Sequence, residues 1–169
     1  VKALIITAEE NNYSLEVLKA VERVNNKQKS ILFDKLYKYY KGQLKDKTIG
    51  IWGLSFKPKT DDMREAPSLV IIEKLLEHGA TVKAYDPVAM EEARKILGDR
   101  IEYAKDQYDA VIDADAMILV TEWSEFRIPN FKVIKKLLNK PAIFDGRNIY
   151  DPEEMEEYAF DYFSIGRNA

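Results

Sequence analysis

At 169 residues, 46% hydrophobic and 33% charged, the chain is long enough for one well-buried domain with an appended element, and short for two full cores. A net charge of -3 supplies no basic field for sequence-independent binding to a nucleic-acid backbone, and no apolar stretch approaches the roughly 18 residues of a membrane span. The absence of cysteine excludes disulfides and thiolate metal sites, a lone histidine suggests no metal centre, and a soluble, cytoplasmic protein is expected.

The opening Val1-Lys2-Ala3-Leu4 has neither an initiator methionine nor a signal-peptide pattern, and reads as an interior start. Ser14 is the expected N-cap of a helix in which Val17, Val21, Val24, Gln28 and Ile31 recur at four-three-four-three spacing, with Leu18, Leu32 and Leu36 widening the stripe. The spacing predicts one amphipathic helix ending near Lys41-Gly42, roughly 40 Å long. A helix of that length either overhangs a small core or serves as a connecting or dimer-forming spine, with Gln28 as a polar contact in that interface. The second reading is preferred, which assigns 1–46 to a connecting and dimerisation region and 47–169 to a ligand-binding domain.

From Thr48 onward, short apolar runs alternate with helical stretches, the signature of βα units and a parallel sheet. Six strands are predicted: Thr48 to Gly53, Thr81 to Tyr85, Ile101 to Tyr103, Ala116 to Thr121, Ala142 to Phe144 and Phe160 to Ser164. Helices are predicted at Ala66 to His78, Ala89 to Leu97, Asp106 to Ile112, Phe131 to Leu138 and Pro152 to Tyr158. The expected fold class is α/β: a long N-terminal helix, then a Rossmann-like doubly wound, mainly parallel six-stranded sheet. With right-handed crossovers and the order 3-2-1-4-5-6, the first and fourth strands meet at a topological switch point, where such folds bind ligands. Three loops then open at the carboxyl edge of the sheet: Leu54 to Glu65, Glu122 to Arg127 and Asp145 to Tyr150.

The first of these loops is not a dinucleotide fingerprint, because only Gly53 stands where three glycines would let a pyrophosphate approach the backbone. Its Phe56, Lys57, Lys59 and Arg64 instead offer an aromatic surface and side-chain cations, as a phosphorylated, base-bearing ligand requires. Alternatively it is a solvated loop whose Asp61, Asp62 and Glu65 pair with those cations or cap the following helix. Asp86 ends the second strand but lies 33 residues past Gly53, not the roughly 20 of a ribose-binding carboxylate, and with Pro87 behind it reads as an N-cap. His78 before Gly79 suits a helix end rather than a ligand. Trp123 reads as packing. Arg147 either reaches across the switch point or pairs with Asp145.

Phe56-Lys57-Pro58-Lys59-Thr60-Asp61-Asp62-Met63-Arg64-Glu65-Ala66-Pro67-Ser68 closely resembles the UDP-glucose 6-dehydrogenase branch of the UDP-glucose/GDP-mannose dehydrogenase family. The resemblance continues, in family order, through Ala84-Tyr85-Asp86-Pro87, Thr121-Glu122-Trp123, Phe144-Asp145-Gly146-Arg147-Asn148 and Ser164-Ile165-Gly166-Arg167. It covers essentially the whole chain and implies the C-terminal portion of such an enzyme. It further implies a homodimer built on the long helix, a UDP-sugar substrate, and NAD held mainly by a separate N-terminal domain. By resemblance, Phe56, Lys57 and Arg147 contact the UDP-sugar and Arg64 reaches the NAD. No catalytic residue is expected within the chain, since the family's nucleophilic cysteine lies in a Cys-Phe-Pro-Lys-Asp stretch that would precede Val1. GDP-mannose or UDP-N-acetylmannosamine specificity, or a non-catalytic nucleotide-binding or dimerisation module, are the alternatives.

Overall fold

A computed structural model describes residues 1–167. Residues 168 and 169, the end of the proposed 47–169 domain, lie outside the described residues. Two helices come first: α1 (Lys2–Glu10) and α2 (Glu16–Tyr39). The sheet is made of β1 (Thr48–Trp52), β2 (Thr81–Tyr85), β3 (Glu102–Tyr103), β4 (Ala116–Leu119), β5 (Ala142–Asp145) and β6 (Asp161–Ser164). Between strands lie α3 (Pro67–Glu77), α4 (Met90–Leu97), α5 (Phe131–Leu137) and α6 (Pro152–Glu157). The order is β3-β2-β1-β4-β5-β6, as expected, and every strand pairing is parallel.

Period-two alternation assigns each strand residue to a face. Ile49, Ile51, Val82, Ala84, Ile118 and Phe144 pack with α2, α3 and α4 on one side. Trp52, Met117, Leu119 and Ile143 pack with α5 and α6 on the other. Both faces are covered, which is why β1, β4 and β5 are nearly continuous apolar runs. α2 lies against α3 and β5, and buries Leu32, Phe33 and Leu36 in the first of these cores. Its N-terminal half leaves Val17, Val21 and Val24 exposed.

Three local expectations are corrected. The N-terminal region holds two helices, because α1 precedes the predicted one; its apolar residues fit no buried stripe, and it buries none of them. Ser14 does not cap α2: Leu15 occupies the N-cap without a side-chain bond, and the Ser14 hydroxyl donates instead to the Glu16 carboxylate. The segment predicted as a helix over Asp106 to Ile112 forms only a 3₁₀ turn, Asp109–Val111.

Gly53 ends β1 at φ +89°, and a Cβ built on it would lie 2.5 Å from Thr121 Cβ and 2.6 Å from Thr121 N. The glycine is therefore required for the close passage of β1 past the end of β4, rather than for the approach of a phosphate.

Candidate ligand cleft

The start of the β1–α3 loop is fixed by hydrogen bonds before any ligand is considered. Asp86, fully buried, accepts on Oδ2 from Leu54 N (2.7 Å), Ser55 N (3.1 Å), Ser55 Oγ (3.2 Å) and Trp123 Nε1 (3.0 Å). Its Oδ1 accepts from Val88 N (2.9 Å) and Ala89 N (2.8 Å). The carboxylate thus closes the turn after β2 rather than capping α4 directly, since the N-cap of α4 is Ala89. With every donor internal, it has no capacity left for a ribose hydroxyl. Thr121 Oγ1 donates to Ser55 O (2.6 Å) and Ser68 Oγ to Leu54 O (2.5 Å), so residues 54 and 55 have little freedom. Trp123 is packing, as expected, and also serves as an indole donor to Asp86.

Beyond Ser55 the loop divides. Phe56 N donates to Asp62 O (2.8 Å), closing residues 56–62 into a lobe with Lys57 exposed on it. Phe56 itself is 48% exposed. Arg64 does not share a depression with Phe56: its side chain is 89% exposed, held by both Asp62 oxygens (3.0 and 2.8 Å), and borders a separate one with Leu69, Glu92 and Ile96. The Arg64 guanidinium holds the Asp62 carboxyl down at about 2.

Phe56 instead faces a cleft of about 720 Å³ between the helical arm and the carboxyl edge of the sheet. Its walls include Lys2 from α1, Asn25, Gln28 and Lys29 from α2, and Val120, Gly146 and Arg147 from the loops after β4 and β5. Gln28, expected in a dimer contact, lines this cleft. Gly146 is required here by proximity, because a Cβ would lie 2.9 Å from the backbone oxygen of Leu119 as well as 2.6 Å from the more yielding Leu32 Cδ1 on α2.

Arg147 does not pair with Asp145. Asp145 is buried and accepts Arg147 N and Asn148 N on Oδ1, and Ile149 N, Tyr150 N and the Tyr162 hydroxyl on Oδ2. Burial and the Asp145 charge push the Tyr162 phenol up, keeping it a donor. The Arg147 side chain, 31% exposed, is held by Val120 O (Nε, 2.8 Å) and Phe56 O (NH2, 3.2 Å). Glu122 Oε2 lies 2.8 Å from the same Nε, whose single hydrogen is directed at Val120 O. That contact is a charge pair, and it leaves Oε2 without a hydrogen-bond donor. The remaining guanidinium N–H groups are fixed in direction beside an exposed ring, a suitable arrangement for a phosphorylated ligand carrying a planar base.

A second ionic cluster closes the cleft at α1. Glu65 receives Lys2 Nζ on Oε1 and Lys29 Nζ on Oε2, both at 2.7 Å. These ammonium groups hold the Glu65 carboxyl down at about 2.

Fold and cleft together define a Rossmann-like α/β domain whose switch-point cleft is lined by side chains from the sheet edge and the helical arm. Residues 50–152 match the UDP-glucose/GDP-mannose dehydrogenase family, UDP binding domain, and the chain belongs to that family. It is 45% identical, over 99% of its length, to the UDP-glucose 6-dehydrogenase of Pseudomonas aeruginosa, and 44% identical, also over 99%, to UDP-glucose 6-dehydrogenase TuaD of Bacillus subtilis. It spans 38% and 36% of those two proteins and corresponds to their C-terminal part. Among solved structures, a UDP-glucose dehydrogenase from Pyrobaculum islandicum superposes with a TM-score of 0.80 at 29% identity, covering 97% of this chain and 35% of that one.

The dinucleotide cofactor implied by this family does not fit the chain's own Rossmann-like unit. The backbone after β1 is filled by Thr121 and tied to Asp86, and that carboxylate is saturated. Among the described residues, no helix is long and apolar enough to cross a membrane.

Proposed function

We propose that this chain forms the UDP-sugar half of the active site of a cytoplasmic, NAD-dependent UDP-glucose 6-dehydrogenase. The observation that carries the reading is the Arg147 guanidinium, oriented by two backbone carbonyls and Glu122, beside the exposed Phe56 ring on one cleft. In this reading residues 47–169 bind the nucleotide sugar. Arg147 meets the diphosphate, Phe56 lies against the ligand, and Lys57 swings from the exposed lobe to join them. Arg64, on the opposite side of the loop, reaches toward NAD held by sequence outside these 169 residues.

NAD held there would supply hydride acceptance, twice per sugar, in taking the C6 alcohol to a carboxylate, and Arg64 is the residue of this chain that would reach it. The described residues orient the substrate but provide no thiol nucleophile, so the chain by itself is expected to bind UDP and UDP-glucose and to produce no NADH. Calorimetric titration with UDP, UDP-glucose, UDP-N-acetylmannosamine and GDP-mannose, together with NADH fluorescence, checks both halves. Absence of UDP binding would overturn the assignment, steady NADH production the statement of inactivity, and preference for another sugar the specificity.

Residues 1–46 are proposed as the connecting and dimer-forming arm. Val17, Val21 and Val24 on α2, with Leu4 and Ile6 on α1, present exposed apolar surface among the described residues, and such surface is stabilised by burial against a second copy. Sedimentation of wild type is expected to give a dimer that Val17→Glu/Val24→Glu converts to monomer. A wild-type monomer would remove this part of the reading.

A further inference from the structure

α1 forms part of the cleft wall yet buries none of its residues, so its placement depends on surface contacts. At the cleft end those contacts converge on Glu65. One oxygen holds Lys2 of α1 and the other holds Lys29 of α2, while Lys2 also lies 3.5 Å from Glu22. Lys29 is the more confined of the two cations, with its side chain 16% exposed. Glu65 itself adopts φ 60°, the left-handed region that non-glycine residues avoid, just before the Ala66 N-cap of α3. A strained residue whose two carboxylate oxygens each meet a different helix joins three segments distant in sequence.

We propose that Glu65 is a positioning residue that clamps the two-helix arm to the β1–α3 loop and thereby sets the width of the nucleotide-sugar cleft. The inference rests on the cleft being the UDP-sugar site, and it adds a role for a residue that need not touch the ligand. With the clamp closed, Lys2 and Lys29 are neutralised and held to the wall, and the loop carrying Phe56 at one end and Arg64 at the other keeps one distance from α2. Without it, α1 keeps the looser 3.5 Å Lys2–Glu22 pair, the Lys19–Glu9 pair near its C-terminal end and apolar surface contact, none of which ties it to the β1–α3 loop.

The test uses Glu65→Gln, Lys29→Gln and the double variant in this chain, read by UDP titration and by hydrogen exchange. Glu65→Gln is expected to weaken UDP binding by about three- to ten-fold, the scale of two surface ion pairs. Exchange should quicken in residues 2–10 with the sheet amides unchanged. Lys29→Gln should act in the same direction, and the double variant should be no worse than the product of the singles. Glu65→Gln binding UDP as well as wild type or better, or leaving α1 exchange unaltered, would overturn the clamp. Wild type failing to bind UDP would instead overturn the functional reading beneath it, while the exchange data would still report whether Glu65 holds α1.

Discussion

Replacing Arg147 by alanine is expected to weaken UDP binding by about 2–3 kcal/mol, roughly 30- to 150-fold, the scale of charge-assisted hydrogen bonds to a phosphate in a partly closed site. The guanidinium is held in place by Val120 O, Phe56 O and the Glu122 carboxylate, so its orientation costs little on binding. Arg147→Lys retains the charge without the planar fork, and is expected to recover only part of the loss. Because the substitution also leaves Val120 O and Phe56 O without their donors, thermal melting must accompany the titration. A small shift in melting with a large loss of binding supports a ligand role. Unchanged UDP affinity in Arg147→Ala would remove the observation on which the proposed function stands.

The largest expected effect on stability comes from Asp86→Asn. Each carboxylate oxygen accepts only, and together they serve four backbone N–H groups in two turns, the Ser55 hydroxyl and the Trp123 indole. An amide places an NH2 group opposite N–H donors, and either orientation of the side chain leaves at least two donors facing a donor within a fully buried site. The cost is about 3–5 kcal/mol, the range for breaking a buried charged network, which for a chain of this size lowers the melting temperature by roughly 10 °C or more. Differential scanning calorimetry checks it. A shift of only a degree or two would mean that the turns after β1 and β2 are held by other contacts.

Asp86 also illustrates what sequence alone could reveal. Its position at a strand end before proline indicated a structural cap, and it is structural. Nothing in the spacing indicated that Leu54, Ser55 and Trp123, from two other loops, would converge on the same carboxylate. A similar limit applied to Arg147. The turn glycine and the position after β5 placed it at the switch point, but Glu122 as its charge partner, in place of Asp145, depends on five internal donors occupying Asp145. α1 carries no buried stripe, so no apolar periodicity in the sequence marks it as a helix. From the sequence Glu65 is expected to pair with cations of its own loop or to cap the following helix, whereas its partners are Lys2 and Lys29, distant in sequence.

Alternating apolar runs and their turn residues were enough to determine the six parallel strands, their order and the edge where ligand loops gather, because face alternation and crossover handedness leave few topologies. The run from Phe56 to Ser68 determined the family by residue type alone. Only the tertiary structure decided how that run is used. Hydrogen bonds to Asp86 and from Thr121 and Ser68 fix residues 54 and 55 just ahead of it, the bond from Phe56 N to Asp62 O folds its middle into a lobe, and Phe56 and Arg64 then border different depressions. Phe56 joins Arg147 on the cleft while Arg64 borders the opposite depression. That division arises because parallel pairing brings the ends of β1, β2, β4 and β5 to one edge, where side chains far apart in sequence compete for the same few donors and acceptors.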